Sequence, residues 1–255
     1  MSEERGSGRL TDLVAVVTGA SSGIGRATTR ALAEVGARVL AVGRRPDALD
    51  ETAGGMPSIV AFAADLVDTG AATAVVDAAV ARWGRIDVLV NNAGVFTAMP
   101  LADVTAERIE ALFATNVTAP SLLAGAALPM LREHRGTIIN VSSTFGHRPI
   151  AGAAHYAASK AAIEQLTRSW ALELAADGIR VNAIAPGPTE SGALASAGLP
   201  AAVIEKIKQD ESRQVPLGRR GEPGEVAAWV VHLADPDAAW VTGQVIAVDG
   251  GLGLT

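Results

Sequence analysis

The sequence predicts a single α/β domain built on a doubly wound, mostly parallel β-sheet. Short apolar runs rich in β-branched residues alternate with longer alanine-rich helical segments along the whole 255-residue chain, and this alternation is typical of strand–helix–strand units. The apolar runs are nearly continuous, as expected for strands buried on both faces. Glycines also stand where the intervening helices should end. These three observations favour helices on both faces of one sheet.

Seven strands are predicted from the apolar runs. In chain order they cover Val14–Val17, Val39–Val42, Ile59–Phe62, Val88–Val90, Ile138–Val141, Val181–Ile184 and Val245–Val248. Gly36, Gly84 and Gly178 each close a helical stretch and are soon followed by a strand. A glycine just past a helix end adopts positive φ at the least cost, so these positions mark helix-to-strand junctions.

The start of the chain and one long segment fall outside this pattern. Residues 1–10 are polar and predict a disordered tail, which leaves 11–255 as one domain. Residues 188–220 lack a strand but contain a helical stretch at Ala201–Ser212. Long excursions after a strand are where substrate loops commonly occur. We therefore expect a substrate loop at about 188–220, with a plain surface insertion as the alternative.

The composition predicts a soluble cytoplasmic protein with a large core. Hydrophobic residues make up 49% of the chain and charged residues 19%, with a net charge of −6. An acidic balance argues against nucleic acid or an anionic membrane as partner, since both attract basic surfaces. We see no signal peptide and no uninterrupted apolar run of ~18 residues.

Metal and thiol chemistry are not expected. The chain has no cysteine, so disulfides, thiolate catalysis and cysteine-ligated metals are excluded. The four histidines share no spacing that would gather them into a metal site.

A glycine-rich turn follows the first predicted strand. It reads Thr18-Gly19-Ala20-Ser21-Ser22-Gly23-Ile24-Gly25 and leads into a predicted helix at Arg26–Val35. Glycines let the backbone approach a pyrophosphate, and a helix N-terminus supplies free N–H donors and a positive dipole end. We therefore predict a Rossmann-type dinucleotide site, with a purely steric need for glycine as the alternative. Its cofactor-binding residues are Gly19, Ser21, Ser22, Gly23, Ile24 and Gly25.

The end of the second strand indicates which nicotinamide cofactor is used. Enzymes that use NAD commonly place a carboxylate there to bind the ribose 2′-hydroxyl, whereas this chain has Gly43-Arg44-Arg45. Guanidinium groups suit a 2′-phosphate, and one charge-assisted hydrogen bond contributes about 1.5–3 kcal/mol. NADP(H) is therefore the favoured cofactor. In the alternative, the cofactor is NAD(H) and both arginines are solvated loop charges.

Tyr156, the only tyrosine in the chain, is the candidate proton-transfer residue. Lys160 follows it by four residues in a long helical segment, and such pairs share one helix face. An ammonium ~4 Å from a phenol contributes about 4 kcal/mol at an effective dielectric constant of 20, and desolvation opposes this. We expect a net lowering of the Tyr156 pKa, which suits acid–base catalysis. Ser143 follows a strand and can donate to a substrate oxygen, unless Ser142 and Ser143 only cap the next turn.

In this combination of motifs the sequence resembles the short-chain dehydrogenase/reductase family from Leu10 to Leu252. The matching features are Thr18–Gly25, Asp65 after the third strand, Asn91–Gly94, Asn116, Ser143, Tyr156, Lys160, Pro186–Ser191 and Val248–Gly251. The resemblance implies reversible hydride transfer between a nicotinamide and a carbonyl or secondary alcohol.

The resemblance also implies a role for each matching residue. Ser143 would polarise the carbonyl oxygen, Tyr156 would give it a proton, Lys160 would bind the nicotinamide ribose, and Asn116 would hold a water that links Lys160 to solvent. Further cofactor contacts are implied for Asp65, Leu66, Asn92, Ala93, Gly94, Pro186, Gly187, Thr189 and Ser191. Ser191 stands where the family often has threonine. Ser22 stands where several NADP-dependent relatives have a basic residue, so a 2′-phosphate would depend chiefly on Arg44.

Two other functions share this fold. A nucleotide-binding regulatory or scaffold protein usually lacks a member of the Asn, Ser, Tyr and Lys set, whereas all are present here. Relatives that couple redox chemistry to epimerisation or dehydration tend to have a longer C-terminal substrate domain. The expected partner is a small carbonyl or alcohol substrate, with a ketone, steroid, sugar and acyl thioester all compatible with the sequence. The resemblance further implies a homotetramer, or a homodimer, through alanine-rich helix faces.

Overall fold

A computed structural model describes residues 10–190 and 200–255, and residues 1–9 and 191–199 lie outside it. Seven strands form one sheet of order β3-β2-β1-β4-β5-β6-β7. They are β1 Val14–Thr18, β2 Arg38–Gly43, β3 Ile59–Ala63, β4 Val88–Asn91, β5 Thr137–Val141, β6 Arg180–Pro186 and β7 Val245–Val248. Every pairing between neighbouring strands is parallel. The predicted strands and fold class are confirmed.

Helices cover both faces of the sheet. Within the described ranges they are α1 Gly23–Glu34, α2 Pro46–Ala53, α3 Ala71–Trp83, α4 Ala106–Phe113, α5 Ala119–His134, α6 Ala154–Leu174, α7 Ala201–Gln214 and α8 Pro223–Ala234. One core lies beneath α1 and α8 and includes Leu32 and Val230. The other lies beneath α3, α5 and α6 and includes Val75 and Leu123. Burial of both sheet faces accounts for the continuous apolar strands.

The strand order places a binding crevice between β1 and β4. The chain winds outward from β1 to β3 on one side and from β4 to β7 on the other. Ligands of such sheets bind where the order reverses, at the carboxyl ends of the strands. Thr18 ends β1 and Asn91 ends β4, so the glycine-rich turn and the Asn-Asn-Ala-Gly stretch meet at this crevice.

The predicted junction glycines have the backbone that the prediction requires. Gly36, Gly84 and Gly178 have φ values of 101°, 73° and 75°, in the left-handed region that glycine adopts without strain. Each one separates a helix from the following strand. These helix ends are therefore encoded locally in the sequence.

Helices α4 and α5 are joined by a π-helical turn at Ala114–Thr118. By length and a mean hydropathy of 1.4, the combined run Ala106–His134 resembles a membrane-crossing helix. Its inward residues Leu123, Ala127 and Leu131 are buried against the sheet. Burial of this face accounts for part of the apolar character of the run, since 39% of its most apolar window is buried.

One predicted boundary is wrong. The sequence places Leu10 in a disordered tail, but it is 1% exposed and its N–H donates to the Val35 carbonyl oxygen at 2.9 Å. Leu10 stands at the end of a polar stretch, and only the packing shows that this apolar side chain belongs to the core. Of the predicted segment at 188–220, residues 191–199 lie outside the described part of the chain.

Candidate active site

The predicted catalytic residues meet at the carboxyl end of β5. Ser143 follows β5, and its hydroxyl lies near enough to the Tyr156 phenol, in the first turn of α6, to lower the pKa of that phenol. Lys160 lies one turn further along α6, and its Nζ is 5.9 Å from the centre of the Tyr156 ring. The Lys160 Nζ donates a hydrogen bond to the Val141 carbonyl oxygen at 2.9 Å. The structure thus brings Ser143, Tyr156 and Lys160 together.

The electrostatics of this group differ from the prediction. Burial raises the pKa of Tyr156 above its ordinary value, and the hydrogen bond from Ser143 partly offsets this effect. Burial also lowers the pKa of Lys160 to about 8. The expected net lowering of the Tyr156 pKa by Lys160 is therefore wrong for this structure. Desolvation prevails because Lys160 is buried and Tyr156 is partly buried.

The Ser143 side chain caps the next turn, as the alternative interpretation required, and its donation to a substrate oxygen stays a prediction. The Ser143 hydroxyl oxygen accepts a hydrogen bond from the Phe145 N–H at 3.2 Å, at the start of the 3₁₀ turn Thr144–Gly146. It is thereby a turn cap as well as a partner of Tyr156. A hydroxyl can do both because it has one proton to donate and two lone pairs to accept.

Asn116 lies in the π-helical turn between α4 and α5. Its Oδ1 accepts from the Val95 N–H at 2.8 Å, and its Nδ2 donates to the Val95 carbonyl at 3.0 Å and to Ser159 Oγ at 3.0 Å. Ser159 in turn donates to the Tyr156 carbonyl. The Asn116 side chain therefore ties the loop after β4 to α6. Single π turns are frequent at functional sites, and no sequence signal predicted this one.

The N-terminus of α1 has the features of an anion site. Its N-cap Ser22 makes no side-chain cap, and its first turn holds no acidic residue. The orphan N–H groups and the positive end of the helix dipole therefore suit a pyrophosphate. Gly25 is needed for the turn itself, because a Cβ there would lie 2.2 Å from the Gly19 carbonyl oxygen. The residues that surround the turn thus fit a dinucleotide.

The Asn-Asn-Ala-Gly stretch is bonded to that turn. The Thr18 hydroxyl oxygen accepts from the N–H groups of Asn92 and Ala93, each at 3.0 Å. The Asn92 Nδ2 donates to the Thr18 carbonyl at 2.8 Å. Gly94 lies next to the catalytic group, since a Cβ there would be 3.2 Å from the Lys160 Nζ. The stretch therefore links the phosphate-binding turn to Lys160.

The two arginines after β2 lie at the edge of the glycine-rich turn. The Arg45 guanidinium donates to Ser21 Oγ at 3.4 Å. Arg44 is 71% exposed and lies 3.8 Å from the Asp65 carboxylate. Asp65 also accepts from the Val67 N–H. Two positive groups and one carboxylate thus converge where the adenosine ribose of a dinucleotide would lie.

The opposite end of the crevice follows β6. A Cβ at Gly187 would lie 2.8 Å from the Asp249 Cα, so only glycine fits there after Pro186. Thr189 forms an isolated bridge with Gly221. Ser191 lies outside the described residues. At the other end of the crevice, after β3, Leu66 follows Asp65 and is partly buried.

Two elements of the site were not predicted from sequence. Arg220 is 7% exposed, donates to the Thr189 carbonyl and pairs with Glu190 and Glu211. Glu164 is buried on α6 and bonded to the segment around Ser143. Its position four residues after Lys160, on the same helix face, was the signal available. No cluster of three or more potential metal ligands occurs in the part of the chain that the structure describes.

Comparisons with known proteins show which family the chain is similar to. The family model described as enoyl-(acyl carrier protein) reductase matches residues 19–253. A 3-oxoacyl-(acyl-carrier-protein) reductase FabG from Thermotoga maritima is 40% identical over 96% of this chain and 99% of its own length. A sorbitol dehydrogenase from Cereibacter sphaeroides is 36% identical over 95% of this chain and 98% of its own length. A crystal structure of an actinorhodin polyketide ketoreductase variant with NADPH superposes with a TM-score of 0.90 and 34% identity, covering 98% of this chain and all of the other.

Proposed function

The chain belongs to the short-chain dehydrogenase/reductase family and is an NAD(P)-dependent oxidoreductase, and we propose that it transfers hydride reversibly between NADP(H) and a carbonyl or secondary alcohol. The observation that carries this proposal is the meeting of Ser143, Tyr156 and Lys160 beside a turn suited to a dinucleotide. A catalytically silent nucleotide-binding protein has no need of this set, so catalysis is the favoured interpretation.

The catalytic roles follow from the chemistry of the side chains. The nicotinamide, when bound, supplies or accepts the hydride. Ser143 donates a hydrogen bond to the substrate oxygen, and Tyr156 gives that oxygen its phenolic proton during reduction. The phenol is protonated at neutral pH, since its ordinary pKa is near 10, and it can therefore act as the proton donor. Burial raises that pKa further, away from the neutral range in which a general acid works best. Lys160 places an ammonium beside the phenolate that is left.

Asn116 is proposed to act through the backbone that it holds. Its amide nitrogen is already committed to Val95 and Ser159, which leaves one oxygen lone pair for the water of the proposed relay to Lys160. Its hydrogen bonds fix the loop that carries Gly94 against the lysine. Asn116 thus supports the relay and the cofactor crevice together.

The cofactor would lie along the crevice from the β2 end to the β6 end. We propose that the N-terminus of α1 binds the pyrophosphate through Gly19, Ser21, Ser22, Gly23, Ile24 and Gly25. Asp65 and Leu66 would contact the adenine, and Asn92, Ala93 and Gly94 would line the central part. Pro186, Gly187, Thr189 and Ser191 would contact the nicotinamide end, where Lys160 would bind the ribose.

NADP(H) is the proposed cofactor because Arg44 and Arg45 follow β2 in place of a carboxylate. The similar actinorhodin ketoreductase was crystallised with NADPH, which supports this choice. Asp65 competes for Arg44 at 3.8 Å, so Arg45 is expected to contribute as well. A comparison of kcat/KM for NADPH and NADH tests the assignment, and a preference for NADH would reject it.

The substrate class is proposed from the wall of the site. Phe96 is 54% exposed and its ring packs edge-on against Tyr156, with 5.0 Å between the centroids. An exposed aromatic ring next to the proton donor suits a substrate with an apolar group beside its carbonyl. The relatives are named for reactions on an acyl-carrier-protein thioester and on sorbitol, so similarity alone does not choose between substrates.

The test is turnover of NADPH absorbance with a panel of ketones, acyl thioesters and sugars. Oxidation of NADPH that depends on a carbonyl substrate and is lost in Tyr156→Phe would support the proposal. Binding of NADPH without turnover across the panel would favour the silent nucleotide-binding alternative.

We also propose a soluble cytoplasmic homotetramer, with a homodimer as the alternative. Leu122 on α5 and Leu172 on α6 are 60% and 84% exposed, and Trp240 is fully exposed. Contiguous exposed apolar patches mark interaction sites, and we propose that these side chains belong to such patches. Sedimentation equilibrium tests the state, and a monomer at micromolar concentration would reject it.

A further inference from the structure

Glu164 is a buried carboxylate that the proposed reaction does not use. Its side chain is 4% exposed, and it lies one helical turn beyond Lys160 and two beyond Tyr156, on the same face of α6. A carboxylate in the interior is costly unless it is paired and hydrogen-bonded. Its partners therefore indicate what it does.

Those partners lie at the two ends of the segment that carries Ser143. The Glu164 Oε1 accepts a hydrogen bond from the Ser142 hydroxyl at 3.1 Å and lies 3.0 Å from the His147 Nδ1. Ser142 immediately precedes Ser143, and His147 follows the turn Thr144–Gly146. One carboxylate oxygen thus closes the segment 142–147 into a loop.

Gly146 makes room for this contact. A Cβ at that position would lie 2.4 Å from the Glu164 Oε1 and 2.9 Å from the Ser142 Oγ. Gly146 is not among the glycines with positive φ, so its backbone does not require glycine. The side-chain contact does, because any larger residue would displace the carboxylate.

The other side of the same turn is fixed by the C-terminal segment. The Thr144 hydroxyl donates to the Asp249 carboxylate at 2.9 Å, and Asp249 also accepts from the N–H groups of Gly251 and Gly253. Among the described contacts, two acceptors on α6 hold the other side of the turn. They are the Glu164 carboxylate and the Lys160 carbonyl oxygen, which lies 3.2 Å from the Ser142 hydroxyl and shares its proton.

We propose that Glu164 is a positioning residue, which holds the segment 142–147 so that the Ser143 hydroxyl stays beside the Tyr156 phenol. Its importance for catalysis rests on the proposed function, whereas the contact itself can be measured without substrate. In the described structure His147 and Arg168 are the charged or titratable groups that face Glu164, and Lys160 is the one that faces Tyr156.

The consequence can be measured at Tyr156. The hydrogen bond from Ser143 lowers the pKa of Tyr156, so a displaced Ser143 raises it. Complete loss of a hydrogen bond to a charged group corresponds to about one to two pH units. Loosening the segment should produce part of that shift, roughly half a unit to one unit.

The experiment uses the fact that the chain has one tyrosine. Tyrosinate absorbance is recorded immediately after a rapid jump to alkaline pH, so that the folded protein is titrated. Glu164→Gln removes the charge at constant shape, and Gly146→Ala displaces the carboxylate. Both variants should move the midpoint to higher pH.

Two variants serve as matched controls. Glu173→Gln changes an exposed carboxylate on the same helix, and Gly224→Ala adds a methyl group where no atom lies within 4 Å. Both should titrate with the wild-type midpoint. A shift in either control equal to that of Glu164→Gln would overturn the proposal, since it would then reflect a general effect of substitution.

A folded Glu164→Gln with a midpoint at or below the wild-type value would also overturn it. Should that variant lack native circular dichroism, His147→Gln decides in the same way. His147 is 36% exposed, and after its replacement the buried Glu164 carboxylate still accepts a hydrogen bond from Ser142. The titration needs neither cofactor nor substrate. An unshifted midpoint in an active enzyme therefore rejects this inference alone, and the expected shift in a protein without turnover rejects only the proposed function.

Discussion

The Lys160 Nζ donates a hydrogen bond to the Val141 carbonyl oxygen, the last of β5, at 2.9 Å. This bond fastens α6 to the strand that leads into Ser143, so the lysine has a structural contact besides its proposed part in the reaction. It also places a charged group where only 5% of the residue is accessible. Burial lowers the pKa of Lys160 to about 8 for this reason.

The first prediction concerns stability between pH 7.5 and 9.5. The folded pKa of Lys160, about 8, lies below the ordinary value near 10.4 of an unfolded chain. Across this window the unfolded chain binds more protons, so stability rises with pH. We expect the free energy of unfolding of the wild type to gain ~2 kcal/mol relative to Lys160→Met.

Urea denaturation of both proteins at the two pH values measures this difference. Lys160→Met keeps a side chain of similar length and removes the titrating group. The pH dependence of its free energy of unfolding therefore comes from all the other groups, and the difference from the wild type belongs to Lys160. Parallel pH dependences for the two proteins would show that Lys160 is not desolvated as the structure indicates.

The second prediction concerns proton transfer. Tyr156→Phe removes the phenolic proton while keeping the ring that packs against Phe96. We expect kcat for carbonyl reduction to fall at least ~100-fold, at the low end for loss of a general acid. NADPH affinity, measured by fluorescence titration, should change little. Turnover close to that of the wild type would contradict the role assigned to Tyr156.

The sequence predicted the strands, the junction glycines and the meeting of Tyr156 with Lys160, because these depend on local periodicity. It did not predict the direction of the Tyr156 pKa shift. Coulomb attraction between neighbours on a helix can be inferred from spacing, but desolvation depends on how the whole fold encloses them. Glu164 and Arg220 were missed for a related reason, since their partners are distant in sequence and charged residues are ordinarily interpreted as surface groups.

The third prediction concerns the choice of cofactor. We expect Arg44→Ala and Arg45→Ala each to lower kcat/KM for NADPH by about 10- to 100-fold, which corresponds to loss of one charge-assisted hydrogen bond. The values for NADH should change little, because NADH has no 2′-phosphate. Arg82→Ala, at an exposed position on α3, serves as the control. An equal loss with both cofactors would mean that the arginines support the fold and do not select the phosphate.

The fourth prediction compares two adjacent arginines. Arg220 is buried, with contacts to Glu190, Glu211 and the Thr189 carbonyl, whereas the Arg219 side chain is 56% exposed and pairs with Glu225. Removing one partner of a buried ion pair leaves uncompensated charge, and exposed pairs contribute little. We expect Arg220→Gln to lower the free energy of unfolding by about 2 kcal/mol, a value below the usual range because its carboxylate partners are partly exposed. Arg219→Gln should leave it nearly unchanged.

The same pair of variants tests whether Arg220 affects the nicotinamide end of the crevice. Arg220 holds the carbonyl of Thr189, a residue proposed to contact the cofactor, while Arg219 has no such bond among the described contacts. Arg220→Gln should therefore raise the KM for NADPH several-fold in protein that remains folded at the assay temperature, and Arg219→Gln should not. Equal urea midpoints and equal KM values for the two variants would show that the buried network contributes neither to stability nor to cofactor placement. A lower midpoint with an unchanged KM would confine its role to anchoring α7 through Glu211.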